Sequence, residues 1–317
     1  MKTNLKNKNN KKNERNKLLA FSKYLFKYFS LLSFIIIIIK IHFPNVSGLD
    51  FDFDKKYIFT FWEPKKKIPG YLRLCIKTWE KFLTEYEIKI FDYRNAKNYI
   101  GESLFYKIAC KEMSKSLQAD AIRVALLQKF GGIWMDTDTI ITNRKFIEDL
   151  QYFNYELSML GVEKDKSQNI GFIFAPDKSS ILDEWLKKII RKINYYKRID
   201  TKTNNSGIFN ECCYLGNRII DPLLTKTPYK KYFRIDKYKI NALPEIKFFE
   251  NSSLYPYEKY KLFYFSKGEP KKVLKSVKGI ILLHNSWTPF KYRKMSEKEF
   301  LNQDILLSKL LEIILKG

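Results

Sequence analysis

Apolar positions along this chain follow two rhythms, short continuous runs and longer stretches with helical spacing. The run Tyr57–Trp62 is apolar, β-branched and aromatic, and it stops at Glu63–Pro64, which predicts a first buried strand. Beyond a basic loop (Lys65 to Lys67, Pro69, Gly70), a helix is predicted over about Tyr71–Leu83 and a second strand over Glu87–Phe91. Residues 101–130 read as helical with one break. Within them Ser114–Phe130 has good apolar periodicity, and Gly131 stands where a C-cap glycine belongs. Ile133–Met135 form a short buried strand. Leu157–Val162 and Ile170–Ala175 are further strands, and Pro176–Asp177 opens a helix carrying Trp185 and Ile189. Residues 191–260, rich in Tyr and Lys, show no clear period. Gly279–Leu283 is a strongly apolar strand running directly into His284–Asn285–Ser286–Trp287. Glu297–Leu315 reads as one helix with an apolar face, which either packs on the domain or touches a membrane. Strands alternating with helices predict an α/β fold.

The amino-terminal pattern is different. Residues 1–17 are polar and Lys/Asn-rich, a basic tail expected to be disordered. Residues 18–43 are strongly apolar and include Phe34 and five isoleucines, Ile35 to Ile39. A bilayer span needs about 20 mostly apolar residues. Leu18–Ile39 is long enough but contains Lys23 and Lys27, each costing about 2.5–3.5 kcal/mol at mid-membrane and less near an end. Two arrangements fit: a single anchor from about Tyr24 to Phe43, or an interfacial helix presenting Phe21, Tyr24, Leu25, Tyr28 and Phe29 on one face. A cleaved signal peptide is not expected, because no small-x-small site follows the apolar run. A membrane is therefore an expected partner. The positive-inside rule would keep the basic tail cytoplasmic and send the following domain across, toward a Golgi-like lumen in a eukaryote. The alternative, in a bacterium, is a domain held on the cytoplasmic face. Sequons at Asn45, Asn204 and Asn251 fit a lumen, but a chain this rich in Asn produces sequons by chance. With Pro44–Asp54 as linker, the layout is a tail (1–17), an apolar segment (18–43), a main α/β domain (56–290) and a carboxyl-terminal amphipathic helix (291–317).

Composition narrows the class. The 317 residues are 45% hydrophobic and 16% aromatic, the profile of a folded chain. Formal charge is +25, and residues 1–27 carry nine Lys/Arg against the single acid Glu14. Such a balance suits an anionic membrane or anionic substrates, or simply reflects A/T-rich coding DNA. No basic-aromatic motif or zinc-finger spacing is present, so nucleic acid is not an expected partner. Cys75, Cys110, Cys212 and Cys213 include no CxxC and read as buried thiols rather than a disulfide framework. With only His42 and His284, a multi-histidine metal site is excluded.

The most informative block is GGIWMDTDT, Gly131 to Thr139. A glycine pair breaks a helix, three apolar residues make a strand, and Asp136 and Asp138 stand one residue apart at its end. In extended chain, residues i and i+2 point to one side, so both carboxylates can face one hard divalent cation such as Mn²⁺ or Mg²⁺. A D-x-D spacing alone is common and can be a simple turn. Its context raises it, because ligands bind at strand carboxyl ends in open α/β sheets. Asp120 and Arg123 lie three apart on the preceding helix. They form either a surface pair worth a few tenths of a kcal/mol or, since their neighbours are Ala, Val, Leu and Ile, buried charges that need partners. His284 is either a structural residue at a strand end or a third metal ligand or phosphate donor. Trp62 and Trp287 are core aromatics or stacking surfaces for a base or sugar.

Together, IFTFWEP (58–64), TWEKF (78–82), LQADAIRVALLQKFGGIWMDTDTII (117–141), NIGFIFA (169–175) and HNSW (284–287) resemble the DXD-containing sugar transferases, and more narrowly glycosyltransferase family 32 and the capsular polysaccharide synthesis proteins. The resemblance covers roughly residues 56–290. It implies a GT-A nucleotide-diphospho-sugar fold, an α/β/α sandwich, and a metal-dependent, retaining transfer from a nucleotide-sugar donor to a saccharide or glycoconjugate acceptor. It implies that Asp136 faces ribose and sugar, that Asp138 binds Mn²⁺ or Mg²⁺, and that Asp120 and Arg123 contact the donor sugar. Gly132, Asn169, Trp62 and Trp287 are further implied donor-side positions, and His284 a third ligand, although the spacing from His to Ser-Trp is shorter than in many members. The rival readings are a metal-dependent hydrolase or phosphotransferase, and a non-catalytic membrane-tethered binding protein.

Overall fold

The computed structural model describes residues 55–109, 113–145, 147–148, 156–162, 167–203, 214–224, 233–236 and 256–317, all within one unit, Asp52–Gly317. The basic tail 1–17, the apolar segment 18–43, His42, the sequons at Asn45, Asn204 and Asn251, and Cys110, Cys212 and Cys213 lie outside the described residues. No helix among the described residues is long and apolar enough to cross a membrane.

Six strands form the central sheet: β1 (Lys56–Phe61), β2 (Tyr86–Phe91), β3 (Gly132–Met135), β5 (Leu157–Val162), β6 (Ser167–Ala175) and β7 (Phe233–Asp236), in the order β2-β1-β3-β6-β5-β7. β1 runs parallel to both β2 and β3, and β5 runs parallel to β7; β6 is antiparallel to β3 and β5. The fold is thus α/β around a mixed central sheet in which parallel pairings are the majority. The continuous apolar runs of β1 and β3 are explained by burial on both faces, since Ile58, Phe59, Ile133, Trp134 and Met135 are all buried. Each such side chain contributes about 1.5–3 kcal/mol. A second, two-stranded sheet pairs β4 (Thr139–Ile141) with β8 (Ile280–Leu282), antiparallel. β4 was not predicted.

The chain leaves β1 for helix α1 (Gly70–Phe82) and returns as β2 on one side of it. It then passes through α2 (Tyr93–Ile100), α3 (Glu102–Ile108) and α4 (Lys115–Phe130) and returns as β3 on the other side. The order therefore reverses between β1 and β3. That is where an open α/β sheet leaves a crevice beyond the strands' carboxyl ends. Helix α4 carries no single apolar stripe: buried residues run almost without break from Leu117 to Leu127, so it is covered on more than one face. Ser114 caps its first turn, accepting from Leu117 N, and Gly131 ends it at φ 64°.

Two glycines set the approach to the site. Gly131 and Gly132 both have positive φ, and a Cβ on Gly132 would stand 2.8 Å from the Tyr57 carbonyl oxygen of the paired strand. The pair turns the chain from α4 straight into β3 with no loop.

Further helices are α5 (Ser180–Thr203), α6 (Asn217–Leu224), α7 (Pro256–Tyr264) and α8 (Pro270–Ser276). Beyond β8 come a 3₁₀ turn at Asn285–Trp287 and helices α9 (Phe290–Arg293), α10 (Glu297–Leu301) and α11 (Leu306–Lys316). The single helix expected over Glu297–Leu315 is therefore two. Ser296 and Glu299 close a capping box before α10, and Ile305 is extended, which separates it from α11. Residues 291–317 pack into the main core through Tyr292, Phe300, Leu306, Leu307, Leu310 and Leu311. Lys81 of α1 donates to the carbonyls of Ile314 and Leu315, serving the otherwise unpaired end of α11.

Candidate functional site

Strand β3 ends at Met135, and Asp136, Thr137 and Asp138 form a tight turn closed by Thr139 N donating to Asp136 O at 3.0 Å. This corrects the extended-chain expectation: the aspartates share a cavity because the chain turns between them. Asp136 N donates to the Gly171 carbonyl at 2.8 Å, fixing the start of the turn to β6.

The two acids have different partners. Asp136 Oδ1 accepts from Arg123 Nη2 at 2.8 Å and from Trp134 Nε1 at 2.7 Å. Trp134 lies two residues earlier, and the Arg123 guanidinium sits 4.9 Å over its ring. Asp138 Oδ2 accepts the main-chain N–H of Asn285 at 2.8 Å. Burial pushes the Asp138 carboxyl up, and the nearby Asp136 charge adds to the shift. Arg123 Nη1 also lies 3.2 Å from Asp120 Oδ1, so one guanidinium bridges two acids. Asp120 is 7% exposed, and burial pushes it up to about 7 despite Arg123, with Asp136 adding to the rise. Asp120, Asp136 and Asp138 together outnumber Arg123, which leaves the floor with an excess of negative charge when all three are ionised.

These groups line a cavity of about 420 Å³ at the crevice between β1 and β3, within the usual range for small-molecule sites. Trp62, Asp120, Arg123, Asp136 and Asp138, all expected from sequence, meet there. Gly132 does not line it; its place is the close approach to β1. Asn169 does not line it either. Its Oδ1 accepts from Gly171 N at 2.6 Å, and a Cβ on Gly171 would meet both that oxygen (2.8 Å) and Asp136 Oδ2 (3.0 Å), so Asn169 and Asp136 flank the same glycine.

His284 and Trp287 also lie off the cavity wall. Their rings pack against each other at 4.2 Å and both meet Tyr260 at 5.8 Å, and burial lowers the His284 pKa. Among the described residues no group of three His, Cys, Asp or Glu side chains is placed to hold a metal ion. It is Asn285, one residue on, that reaches the turn. Its side chain accepts from the Tyr71 hydroxyl, a phenol held neutral by burial.

Several lining residues went unnoticed in sequence. Ser116 and Ala119 share one face of α4 with Asp120 and Arg123 at i, i+3, i+4, i+7 spacing, a signal that was readable there. Glu63 follows Trp62 at the end of β1. Its Oε2 accepts from Tyr93 N, so that carboxylate is committed to the start of α2, and Lys115 donates to its carbonyl at 3.2 Å. Behind the lining residues, Gly216 and Gly171 have no polar side chain to announce them, yet Gly216 packs so close that a Cβ would stand 3.0 Å from Asp120 Oδ2.

The capsular polysaccharide synthesis proteins, as a family, match residues 3–205. The chain belongs to that family. The matched span contains Asp120, Arg123, Asp136 and Asp138; His284–Trp287 lie beyond it. No curated protein matches the chain. Among solved structures it is similar to the PaToxG glycosyltransferase (12% identity, 83% of this chain and 87% of that one, TM-score 0.33). It is also similar to the glycosyltransferase GlyE of Streptococcus pneumoniae TIGR4 (11% identity, 82% and 64%, TM-score 0.41). A third is a glycosyltransferase involved in glycosylation of the major capsid of PBCV-1 (11% identity, 81% and 99%, TM-score 0.32). Likenesses this distant bear on neither donor nor acceptor.

Proposed function

We propose that this member of the capsule-synthesis family is a glycosyltransferase of GT-A type, moving a sugar from a nucleoside-diphosphate donor to a saccharide or glycoconjugate acceptor in surface polysaccharide synthesis. The observation that carries the reading is the convergence of Asp120, Arg123, Asp136 and Asp138 on one cavity at the carboxyl ends of β1 and β3. Arg123, held between two carboxylates and against Trp134, is preorganised to keep Asp136 oriented toward bound ligand. Asp120, beside it, offers acceptor oxygens to sugar hydroxyls. Trp62 gives a flat face at the rim for a base or sugar ring.

The donor set fits a hard divalent cation: oxygen ligands only, two carboxylates in one turn, and excess negative charge that a cation would offset. Asp136 and Asp138 would hold Mn²⁺ or Mg²⁺, which when bound supplies Lewis acidity at the diphosphate leaving group. Neutralising that group matters because the bond from the anomeric carbon to phosphate oxygen breaks with positive charge left on the sugar. Retention of configuration, implied by the resemblance, needs no base on the far side of the sugar, and Glu63 has one oxygen already bound to α2. Residues 18–43 would keep the enzyme at a membrane.

The test is thermal unfolding of the full chain with Mn²⁺ or Mg²⁺ and a panel of nucleotide sugars. At a hundredfold excess over Kd the true donor stabilises by about 2.7 kcal/mol, and Asp138→Asn loses that shift. No stabilisation by any donor, or an equal shift in Asp138→Asn, overturns the reading. Release of free sugar that added acceptors never suppress would identify a hydrolase instead.

A further inference from the structure

Asp138 is gripped from the far end of the chain, and the grip leads back to helix α1. Leu283 N donates to the Asp138 carbonyl at 3.1 Å and Asn285 N to Asp138 Oδ2, so residues 283–285 extend the β4–β8 pairing past the turn. Asn285 opens a 3₁₀ turn with Thr288 N on its carbonyl at 3.1 Å. What pins that turn is Tyr71, in the first turn of α1. Its hydroxyl donates to Asn285 Oδ1 and lies 3.3 Å from Thr288 Oγ1. The same helix holds the other strand: Trp79 Nε1 donates to Thr139 O at 2.7 Å, and Thr78 Oγ1 accepts from Ile141 N at 2.9 Å. Tyr71 and Trp79 are fully buried, so α1 forms a rigid back wall to both sides of the Asp138 turn.

We infer that Tyr71 is a positioning residue of the site: its hydroxyl orients Asn285, and through the Asn285 main-chain N–H it sets the direction in which the Asp138 carboxylate meets ligand. Packing alone would be served equally by phenylalanine, which keeps the ring against Phe300 (5.6 Å between centroids). The hydroxyl instead spans from α1 to a residue lining the cavity. Asn285 Oδ1 is thus committed to Tyr71, which fixes the orientation of an amide on a residue lining the cavity. Loss of the hydroxyl frees that amide to turn over and the turn to shift with it.

The inference rests on the donor-site reading of Asp136 and Asp138, and one titration separates the two. The full chain and its variants are titrated calorimetrically with inorganic pyrophosphate in the presence of Mn²⁺, the part common to every nucleoside-diphosphate donor. Unchanged affinity in Asp138→Asn sinks the donor-site reading itself. If Asp138→Asn loses binding, Tyr71→Phe and Asn285→Ala should each weaken pyrophosphate by about fivefold, the worth of one ordinary hydrogen bond. The double variant should be no weaker than the worse single, because both changes cut the same link. A tyrosine with a merely structural role would lower the unfolding midpoint and leave the affinity unchanged, which overturns the inference, as would losses that multiply in the double variant. Should Tyr71→Phe fail to fold, Asn285→Ala, which leaves the Tyr71 ring in place, carries the same expectation: wild-type affinity there is equally fatal.

Discussion

Replacing Arg123 by methionine probes the charge balance of the cavity floor. Arg123 is 3% exposed, with Nη2 2.8 Å from Asp136 Oδ1, Nη1 3.2 Å from Asp120 Oδ1, and its guanidinium 4.9 Å over Trp134. Methionine keeps the packing of the stem and removes the cation between the acids. Breaking a buried ion pair by removing one partner costs about 3–5 kcal/mol, since the remaining charge is uncompensated. A domain of this size loses about 2–4 °C of melting temperature per kcal/mol, so the expected fall is about 12 °C at pH 7. The dependence on pH separates charge from packing. Carboxylates without a cation titrate higher in the folded state than in the unfolded one. Their contribution to stability is therefore full at low pH and is lost as pH rises. The deficit of Arg123→Met against wild type should shrink between pH 7 and pH 5, whereas a packing defect would not change. Calorimetric melts of both proteins at the two pH values, at matched ionic strength, measure this. A midpoint within about 2 °C of wild type at pH 7, or an equal deficit at both pH values, would refute the reasoning.

Three further outcomes are expected. Asp138→Asn keeps an acceptor for the Asn285 N–H and removes a carboxyl that burial disfavours when charged, so it should melt no lower than wild type while losing all transfer; retained transfer counts against the site. Gly132→Ala places a Cβ 2.8 Å from the Tyr57 carbonyl oxygen at φ 94° and should cost about 2 kcal/mol or more in urea unfolding; a cost under about 0.5 kcal/mol would show that β1 yields easily. Burial holds Asp120 protonated in the folded state up to about pH 7, while its unfolded carboxyl ionises near pH 4. Stability should therefore decline across that window, and Asp120→Asn should flatten the decline; an unaltered slope would show that Arg123 keeps Asp120 ionised.

The elements legible in sequence are those whose own residues decide them. β1, β3, β5 and β6 are largely apolar runs bounded by Pro, Gly or charge, β2 alternates apolar residues with Glu87 and Lys89, and α4 is closed by Gly131. β4 was invisible because its three residues, Thr139–Ile141, become a strand only by pairing with Ile280–Leu282, a partner no local pattern announces. The break between α10 and α11 was readable in principle, through the Ser296–Glu299 capping box, but the apolar periodicity on either side masked it. The same division holds at the site. Asp120, Arg123, Asp136 and Asp138 come from one continuous stretch and were found together. The register beyond β8 depends on tertiary contacts, which is why Asn285 reaches Asp138 while His284 packs against Trp287.

The turn at Asp136–Asp138 explains why two like charges stay so close. In a straight strand both would point into the cavity with similar surroundings, and their repulsion would have no outlet. Turned as they are, Asp136 answers to α4 through Arg123 and Asp138 to the segment after β8 through Asn285. Each half of the site thus carries one acid on its own support, and the remaining excess of negative charge falls to the ligand. A cation-bearing ligand should consequently stabilise this fold by more than its own contacts contribute, because it also relieves a repulsion built into the empty protein. Asp138 is among the acids that gain, since both burial and its neighbour push its carboxyl up.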